Sequence, residues 1–451
     1  MEFNESQEIA IEHGDGPMLL LAGPGSGKTT VLTHRIKYMI QRHGIRPEHI
    51  LVITFTKAAA NEMKVRFRNL CPEVGGVTFG TFHSVFFWIL RNAYNYTGTD
   101  IITDAEKYGA VRDSIERHGF RYDSQEDFAR NVLGEIGCVK SEMCDLKSYE
   151  STTMKTEDFR VVYDDYEKFL RYRGKIDFDD MLVFTYELLS QRQDILDMWR
   201  NKFRYILIDE FQDINTIQYE TVKLLAKERN NIFVVGDDDQ SIYGFRGAAP
   251  AIMKRFPEDF PGTKIEYLNT NYRCSYDVVE CSKRIIKNNT DRYDKNLQSA
   301  FAPGESDRVH IVKVKDGTEQ NRKIVDKIRE LNSAGIPYSD IAVIFRTNTE
   351  PRALSSKLME NGIPFSMKDS IPNIFTHFLA ENIFDYIKLA RGCRERRVLL
   401  RVINKPNRYI NRDALDSAQV DFEKLRQYYK DKYRIVNNIN VLENDLERIS
   451  R

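Results

Sequence analysis

The string Ala22-Gly23-Pro24-Gly25-Ser26-Gly27-Lys28-Thr29 sets three glycines, a lysine and a hydroxyl at a spacing that cradles phosphate. Gly23, Gly25 and Gly27 let successive backbone N–H groups point inward at phosphate oxygens, Lys28 reaches the β and γ phosphates, and Thr29 offers its hydroxyl to magnesium. Ala22 stands where such a loop usually has its first glycine. Farther along, ILIDEFQD (206–213) ends an apolar run with two adjacent carboxylates. Asp209 is the expected magnesium partner, and Glu210 is positioned to polarise the water that attacks the γ phosphate. A lone Asp-Glu pair is surface charge more often than not; its company with the loop is what raises it. VVGDDDQSIYGFRGA (234–248) again puts polar residues at the end of an apolar run, where Gln240 is placed to sense the γ phosphate. Tyr243 and Phe245 either meet bases or fill a core, as Tyr and Phe usually do.

These residues need rigid elements behind them. MLLLA (18–22), ILVITF (50–55), YILID (205–209) and IFVVGD (232–237) read as short buried parallel strands with helical stretches between them, which predicts a doubly wound α/β domain. The phosphate loop follows the first strand and precedes the helical pattern TVLTHRIKYMI, the context such a loop requires. From about Arg91 to Trp199 the pattern changes to long charged helical segments, predicting an insertion that splits this domain; its stretch FRVVYDDYEKFLRYRGK reads as core plus solvated helix face. A second α/β set starts near Arg308, with VHIVKV (309–314) and IAVIFR (341–346) as strands and helices around 317–332 and from Pro351. Between Arg391 and Arg412 stand eight basic residues against one acidic, either a solvated helix face or a strip for phosphates. Ile435, Ile439, Leu442, Leu446 and Ile449 form an apolar stripe on a last helix, with the 422–433 helix as its ordinary partner.

Length and charge bound the rest. At 451 residues the chain has room for about three domains. Sixty-seven basic and 67 acidic residues balance, so any nucleic-acid surface must be local. The six cysteines include no C-x-x-C pair, which argues against zinc and for reduced thiols in the cytoplasm. The first residues lack the order of a secretory signal, and the apolar run Met18–Ala22 is far too short for a membrane span, so no membrane partner is expected.

Taken together, the strings resemble a superfamily 1A DNA helicase of the UvrD, Rep and PcrA type, over roughly residues 3–412. FNESQ (3–7) resembles the Q motif of that family, which implies that Gln7 reads the adenine edge and that the nucleotide is ATP, held with Mg2+ by residues 22–29 and Thr30. Arg35 matches a family ATP contact. TFTKAAANEMKVR (54–66) and TFGTFHS (78–84) resemble motifs that contact single-stranded DNA, implying roles for Thr54, Phe55, Thr81 and His83, and IDFDDML (176–182) is a further family string. DEFQD is similar to the Walker B box, and GDDDQSIYGFRGA to the motif that couples Gln240 to a DNA-stacking surface with Tyr243, Phe245 and Arg246. Many relatives carry Trp where Phe245 stands. LNTNYRCS (268–275) implies that Tyr272 stacks on adenine and that Arg273 binds the γ phosphate. IAVIFRTNTEPRALSSKLMENGIPF (341–365) resembles the opening of a second RecA-like domain, with Arg346 and Asn348 toward DNA, and VINKPNRYI (402–410) the entry to its helical insertion.

The resemblance implies a RecA-like P-loop fold: 1–90 and 200–277 as the first RecA-like domain, 91–199 as a helical insertion, 278–390 as part of a second RecA-like domain, and 391–451 as the start of a second insertion. It implies 3′ to 5′ translocation on single-stranded DNA and at junctions with duplex, with little base specificity. No His-x-x-Lys-Gly-Leu-Glu and no Tyr-Val-Gly-Ile-Thr-Arg-Ala string is present, so the chain reads as an N-terminal portion lacking the second finger arginine, with weak turnover expected. Two alternatives stay open: a non-catalytic ATP-dependent DNA-binding module, and the helicase subunit of a recombination helicase–nuclease complex. A metabolic P-loop kinase fits the DEFQD and GDDDQSIYGFRGA strings poorly.

Overall fold

Met18–Ala22, Ile50–Thr54 and Ile232–Gly236 are buried at every position, the pattern of strands covered on both faces. In the computed structural model, which describes residues 2–120, 125–242, 251–290, 292–304, 308–347, 349–367, 378–411, 414–415, 417–433 and 437–450, they are inner strands of a six-stranded parallel sheet. The strands are β1 (Met18–Ala22), β2 (Ile50–Thr54), β3 (Thr78–Thr81), β4 (Tyr205–Ile208), β5 (Ile232–Gly236) and β6 (Lys264–Leu268), ordered β3-β2-β4-β5-β1-β6. β1 lies between β5 and β6, with Leu21 opposite both Gly236 and Tyr267.

Two apolar layers clamp the sheet. On one face, α1 (Glu5–Glu12), α2 (Lys28–His43) and α3 (Lys57–Leu70) bury Ala10, Leu32, Ile36 and Phe67 against Leu20 and Val52. On the other, α4 (Phe82–Tyr94) and four later helices bury Phe86, Leu182, Trp199, Val222 and Phe256 against Leu19, Ile53 and Ile208. Between α4 and β4 the chain leaves the sheet. α5 (Asp104–Arg117), α6 (Gln125–Ser141) and α7 (Thr156–Arg173) pack around a separate core that includes Val111, Val132, Ile136, Phe159 and Tyr166. α8 (Phe178–Gln191) and α9 (Gln193–Lys202) return to the sheet, so the part with its own core is narrower than residues 91–199. α10 (Thr216–Ala226), α11 (Ala251–Asp259), α12 (Tyr276–Ile286) and the short parallel pair β7 (Thr270–Asn271) and β8 (Gln298–Ser299) complete this unit, which runs Met1–His310.

The second unit, Ile311–Arg451, contains α13 (Gly317–Ser333), α14 (Pro351–Glu360), α15 (Phe378–Ala390), α16 (Arg396–Val402), α17 (Phe422–Tyr433) and α18 (Asn437–Ser450). α13 and α14 share a small core of Val325, Ile328, Leu354, Leu358 and Ile363. The apolar runs at 309–314 and 341–346, expected as strands, pair with no strand among the described residues, and Ile311 and Ile344 are 90% and 91% exposed. β-propensity describes fit to a covered, paired surface, and neither run has one here. The stripe residues Ile439, Leu442 and Leu446 are buried with Leu425 and Tyr429 of the expected partner α17, but also with Leu389 of α15, which is the main helix packed on α18; Ile449 is exposed, and Ile435 lies outside the described residues. Most of the basic strip is spent internally: Arg401 pairs with Asp385, Arg408 with Asp445 and Arg397 with Glu395, while Arg394 and Arg396 donate to backbone carbonyls. This favours a structural strip over one for phosphates. No helix among the described residues is long and apolar enough to cross a membrane.

Candidate active site

The carboxyl ends of β1, β4 and β5 converge, which is where an open α/β sheet places ligands. The loop after β1 is shaped by two glycines. Gly25 (φ +66°) and Gly27 (φ +87°) hold left-handed backbone, and a Cβ on Gly25 would stand 2.7 Å from Cβ of Arg273 and 2.8 Å from Oδ1 of Asn271. Ser26, 1% exposed, closes the turn by donating its hydroxyl to the Gly23 carbonyl at 2.7 Å. Gly27 then caps α2, whose first residues are Lys28, Thr29 and Thr30. Pro24 lies in the same turn, and Ala22 is the last, fully buried residue of β1.

At the end of β4, Glu210 takes left-handed backbone (φ 51°), which turns its carboxylate toward the loop. Lys28 Nζ donates to Glu210 Oε2 at 2.9 Å. Burial alone would raise the Glu210 pKa; Lys28 and the Gln212 amide beside it more than offset this and hold it below its ordinary value. Asp209, 6% exposed, is pushed up to about 6 by burial and then by Glu210. Its Oδ1 accepts the Glu210 N–H at 3.0 Å. Asp213 also rises to about 6, from burial and Glu210.

The end of β5 is tied to the end of β4 by Gln212, which the motif contains but to which sequence reasoning gave no role. Its Nε2 donates to Glu210 Oε2 at 2.9 Å and its Oε1 accepts the Asp237 N–H at 3.0 Å. Gln240 donates its amide to Asp237 and so stands one residue step from this bridge. Tyr243, Phe245 and Arg246 lie outside the described residues.

On the other side of the loop, α1 and the 268–275 segment interlock with it. Gln7 Nε2 donates to the Ser26 carbonyl at 3.1 Å, and Gln7 and Asn4 cap α1 reciprocally. Asn4 Nδ2 donates to the Tyr272 hydroxyl at 2.8 Å, and the Tyr272 N–H donates to the Gly25 carbonyl at 2.9 Å. Buried Asn271, absent from the sequence-based set, accepts the N–H groups of Arg273 and Cys274 at 2.8 Å each and so builds the turn that presents Tyr272 and Arg273. Both of those side chains are exposed, and Arg273 has no ion pair among the described residues.

Arg35 is placed differently from its expectation. Its guanidinium is 2% exposed, lies 4.4 Å from the Phe233 ring centroid, and donates to the carbonyls of Ala10, His13 and Gly14. With both terminal nitrogens donating to carbonyls at and just after the end of α1, it fixes the helix that carries Gln7. Thr54 is likewise corrected: it is fully buried and its hydroxyl donates to the Thr56 carbonyl at 3.0 Å, so it shapes the turn after β2 and is not itself a surface for DNA.

Phe55 and His83 are brought together on the wall of a cavity of about 410 Å3, with Asp179, Asn215 and Gln218. His83 meets Phe178 edge to face at 5.7 Å, and burial lowers its pKa. Thr81 caps α4. Arg346 is exposed in the second unit, and Asn348 lies outside the described residues.

The site's donor set suits a magnesium-bound nucleoside triphosphate: a loop whose Gly25 leaves no room for a side chain, an ammonium that already holds an anion, and a buried carboxylate next to the Lys28–Glu210 pair. Residues 3–261 match the family model described as UvrD/REP helicase N-terminal domain, and residues 267–447 match that of the UvrD-like helicase C-terminal domain. The ATP-dependent DNA helicase PcrA of Staphylococcus epidermidis (strain RP62A) is 33% identical over 450 residues, covering 98% of this chain and 59% of that protein. PcrA of Staphylococcus aureus (strain Mu50) is 31% identical over 448 residues, with the same coverage of each. The chain thus spans 59% of the length of these curated relatives.

Proposed function

Since the chain belongs to the UvrD/Rep helicase family, we propose that it binds ATP with Mg2+ at the loop of residues 22–29 and couples its hydrolysis to 3′ to 5′ movement along single-stranded DNA and into duplex junctions, in the cytoplasm. The observation that carries this reading is the Lys28–Glu210 contact at 2.9 Å, which joins the loop to the end of β4.

In this reading the γ phosphate competes for the Lys28 ammonium and releases Glu210 to orient and deprotonate water. Gln212 keeps the freed carboxylate in place through its 2.9 Å hydrogen bond. Thr29 and Asp209 would hold the magnesium ion, which would supply neutralisation of the phosphate charge when bound. Arg273 compensates charge from the side of the Tyr272 turn, Gln7 and Tyr272 take the adenine, and Gln240 carries the phosphate state toward the DNA face. Phe55, Tyr243 and Phe245 stack bases, with Thr81, His83, Arg246, Arg346 and Asn348 beside the strand. Stacking tolerates any base, which fits a motor.

The test is phosphate release with and without a single-stranded oligonucleotide, for the wild type and Lys28→Met. Stimulation by DNA that disappears in the variant is expected. Turnover indifferent to both DNA and Lys28 would overturn the reading, and nucleotide-dependent DNA affinity without hydrolysis would replace the motor with an ATP-switched DNA-binding module.

A further inference from the structure

Asp237, Asp238 and Asp239 follow β5 in sequence and each turn a carboxylate oxygen to within 4.8 Å of the others. Three such groups repel strongly unless a cation stands among them. The cation is Lys295, 56 to 58 residues later in the chain. Its Nζ, 5% exposed, contacts Asp237 and Asp238 and lies 2.8 Å from Asp239. Arg292 adds a bidentate pair to Asp239, at 2.7 and 2.6 Å, and the Tyr293 N–H donates to Asp238 at 2.7 Å. Three carboxylates against two cations leave one excess negative charge; without Lys295 there would be two.

This clamp reaches the site through Asp237, which is fully buried. Its side chain accepts from Gln240, and its N–H is held at 3.0 Å by Gln212, whose other end grips Glu210 at 2.9 Å. The segment that supplies Lys295 also touches the phosphate loop: Leu297 lies so close that a Cβ on Gly23 would stand 2.6 Å from its Cδ1. Between these two contacts is a cavity of about 360 Å3 lined by Gly23, Pro24, Gln240 and Ile286. The segment is the one that runs on to the unit boundary at His310.

We propose that Lys295 is a positioning residue of the nucleotide site: by holding the Asp237–Asp239 turn together it sets Gln240 through Asp237, and Glu210 through Asp237 and Gln212. The hydrolytic half of this rests on the function proposed above.

Two variants of the full chain test it, Lys295→Met and Lys295→Arg. In Lys295→Met, affinity for a fluorescent ATP analogue should stay at the wild-type value while DNA-stimulated kcat falls by about 10²-fold, the cost of a small displacement of a catalytic group. Lys295→Arg should recover most of kcat. Hydrogen exchange, read without nucleotide or DNA, should quicken in Lys295→Met at 206–213 as well as 237–242. Exchange that quickens only at 292–299, or a kcat equal to wild type, would overturn the proposal. So would equal loss of kcat and melting temperature in both variants. If the wild type itself shows no turnover, the function proposed above fails, and the exchange pattern still decides whether Lys295 sets the site. Should Lys295→Met not fold, Arg292→Met weakens the same clamp at Asp239, and unchanged exchange at 206–213 there counts against the proposal.

Discussion

Lys28 Nζ and Glu210 Oε2 lie 2.9 Å apart, with the lysine side chain 12% exposed and the carboxylate 36%, so the site holds its cation on an anion of its own. The pair joins a loop after β1 to a strand end 182 residues later, and each partner explains the other's state. Lys28 keeps Glu210 ionised despite burial, and Glu210 keeps Lys28 at the mouth of the loop.

Separating the partners should separate binding from chemistry. Lys28→Met removes the phosphate's ammonium and leaves Glu210 with only Gln212, so nucleotide affinity and turnover are both expected to be lost. Glu210→Gln keeps the shape and the Lys28 contact, so affinity should persist while turnover falls about 10²–10⁴-fold, the usual worth of a positioned general base. Fluorescent-nucleotide titration beside phosphate release reads both; a Glu210→Gln variant with full turnover would remove the glutamate from the mechanism.

Gly25→Ala tests the loop itself. The new methyl would meet Arg273 and Asn271 below 3 Å, at a φ of +66° that side chains rarely adopt. A cost of about 1–3 kcal/mol is expected from the strained backbone alone. Because the Tyr272 N–H is held by the Gly25 carbonyl, the same change should loosen the Tyr272 turn and weaken nucleotide binding. Melting temperature and nucleotide affinity should fall together; wild-type affinity would show that the loop tolerates a side chain there.

What was legible beforehand follows from how far apart the interacting residues are. The strands β1, β2 and β5 were readable because unbroken apolar runs mean burial on both faces, and Lys28, Asp209 and Glu210 because residue type and spacing within one short string carry their chemistry. Gln212 was inside a recognised string, yet its task is to reach Asp237, 25 residues on, and nothing local signals that. Lys295 is harder still: an isolated lysine acquires meaning only when the fold sets three aspartates around it. Arg35 shows the converse, since a motif position names a residue and not where its donors go. The run at 309–314 has strand composition, and composition cannot supply the neighbouring strand that would make it one.

His13 should make the α1 end acid-sensitive. It is 5% exposed, its Nε2 is 3.2 Å from the Gly16 carbonyl, and burial followed by the Arg35 charge lowers its pKa from 6.5 to about 4. A base depressed on folding contributes stability that is full above its unfolded pKa and is lost as pH falls toward the folded value, here between 6.5 and about 4. A shift of this size corresponds to on the order of 3 kcal/mol. Urea unfolding of wild type and His13→Gln at pH 7 and pH 4 isolates it: the wild type's advantage should shrink by about that amount on acidification. A difference between the two proteins that is the same at both pH values would mean His13 is not buried neutral.

The helical insertion depends on one lysine in a different way. Lys140 Nζ, on α6, is 3% exposed and donates to Asp177 at 3.1 Å and Asp180 at 2.7 Å, with Glu167 of α7 at 2.7 Å. Asp177 and Asp180 also cap α8 reciprocally, so the cluster joins three helices at the point where the insertion returns to the sheet. Burial and then Asp177 push Asp180 up to about 7, while Lys140 helps hold Asp177 below its ordinary value despite burial. Removing the cation that these carboxylates contact leaves buried charge poorly compensated, which costs about 3–5 kcal/mol, so Lys140→Met should be strongly destabilised. Adding Asp180→Asn removes one of the stranded charges and should restore part of the loss, a recovery that a merely packing role for the lysine stem would not produce. Urea unfolding of the two variants measures this, and a single variant within experimental error of wild type would show that the carboxylates find protons or water without the lysine.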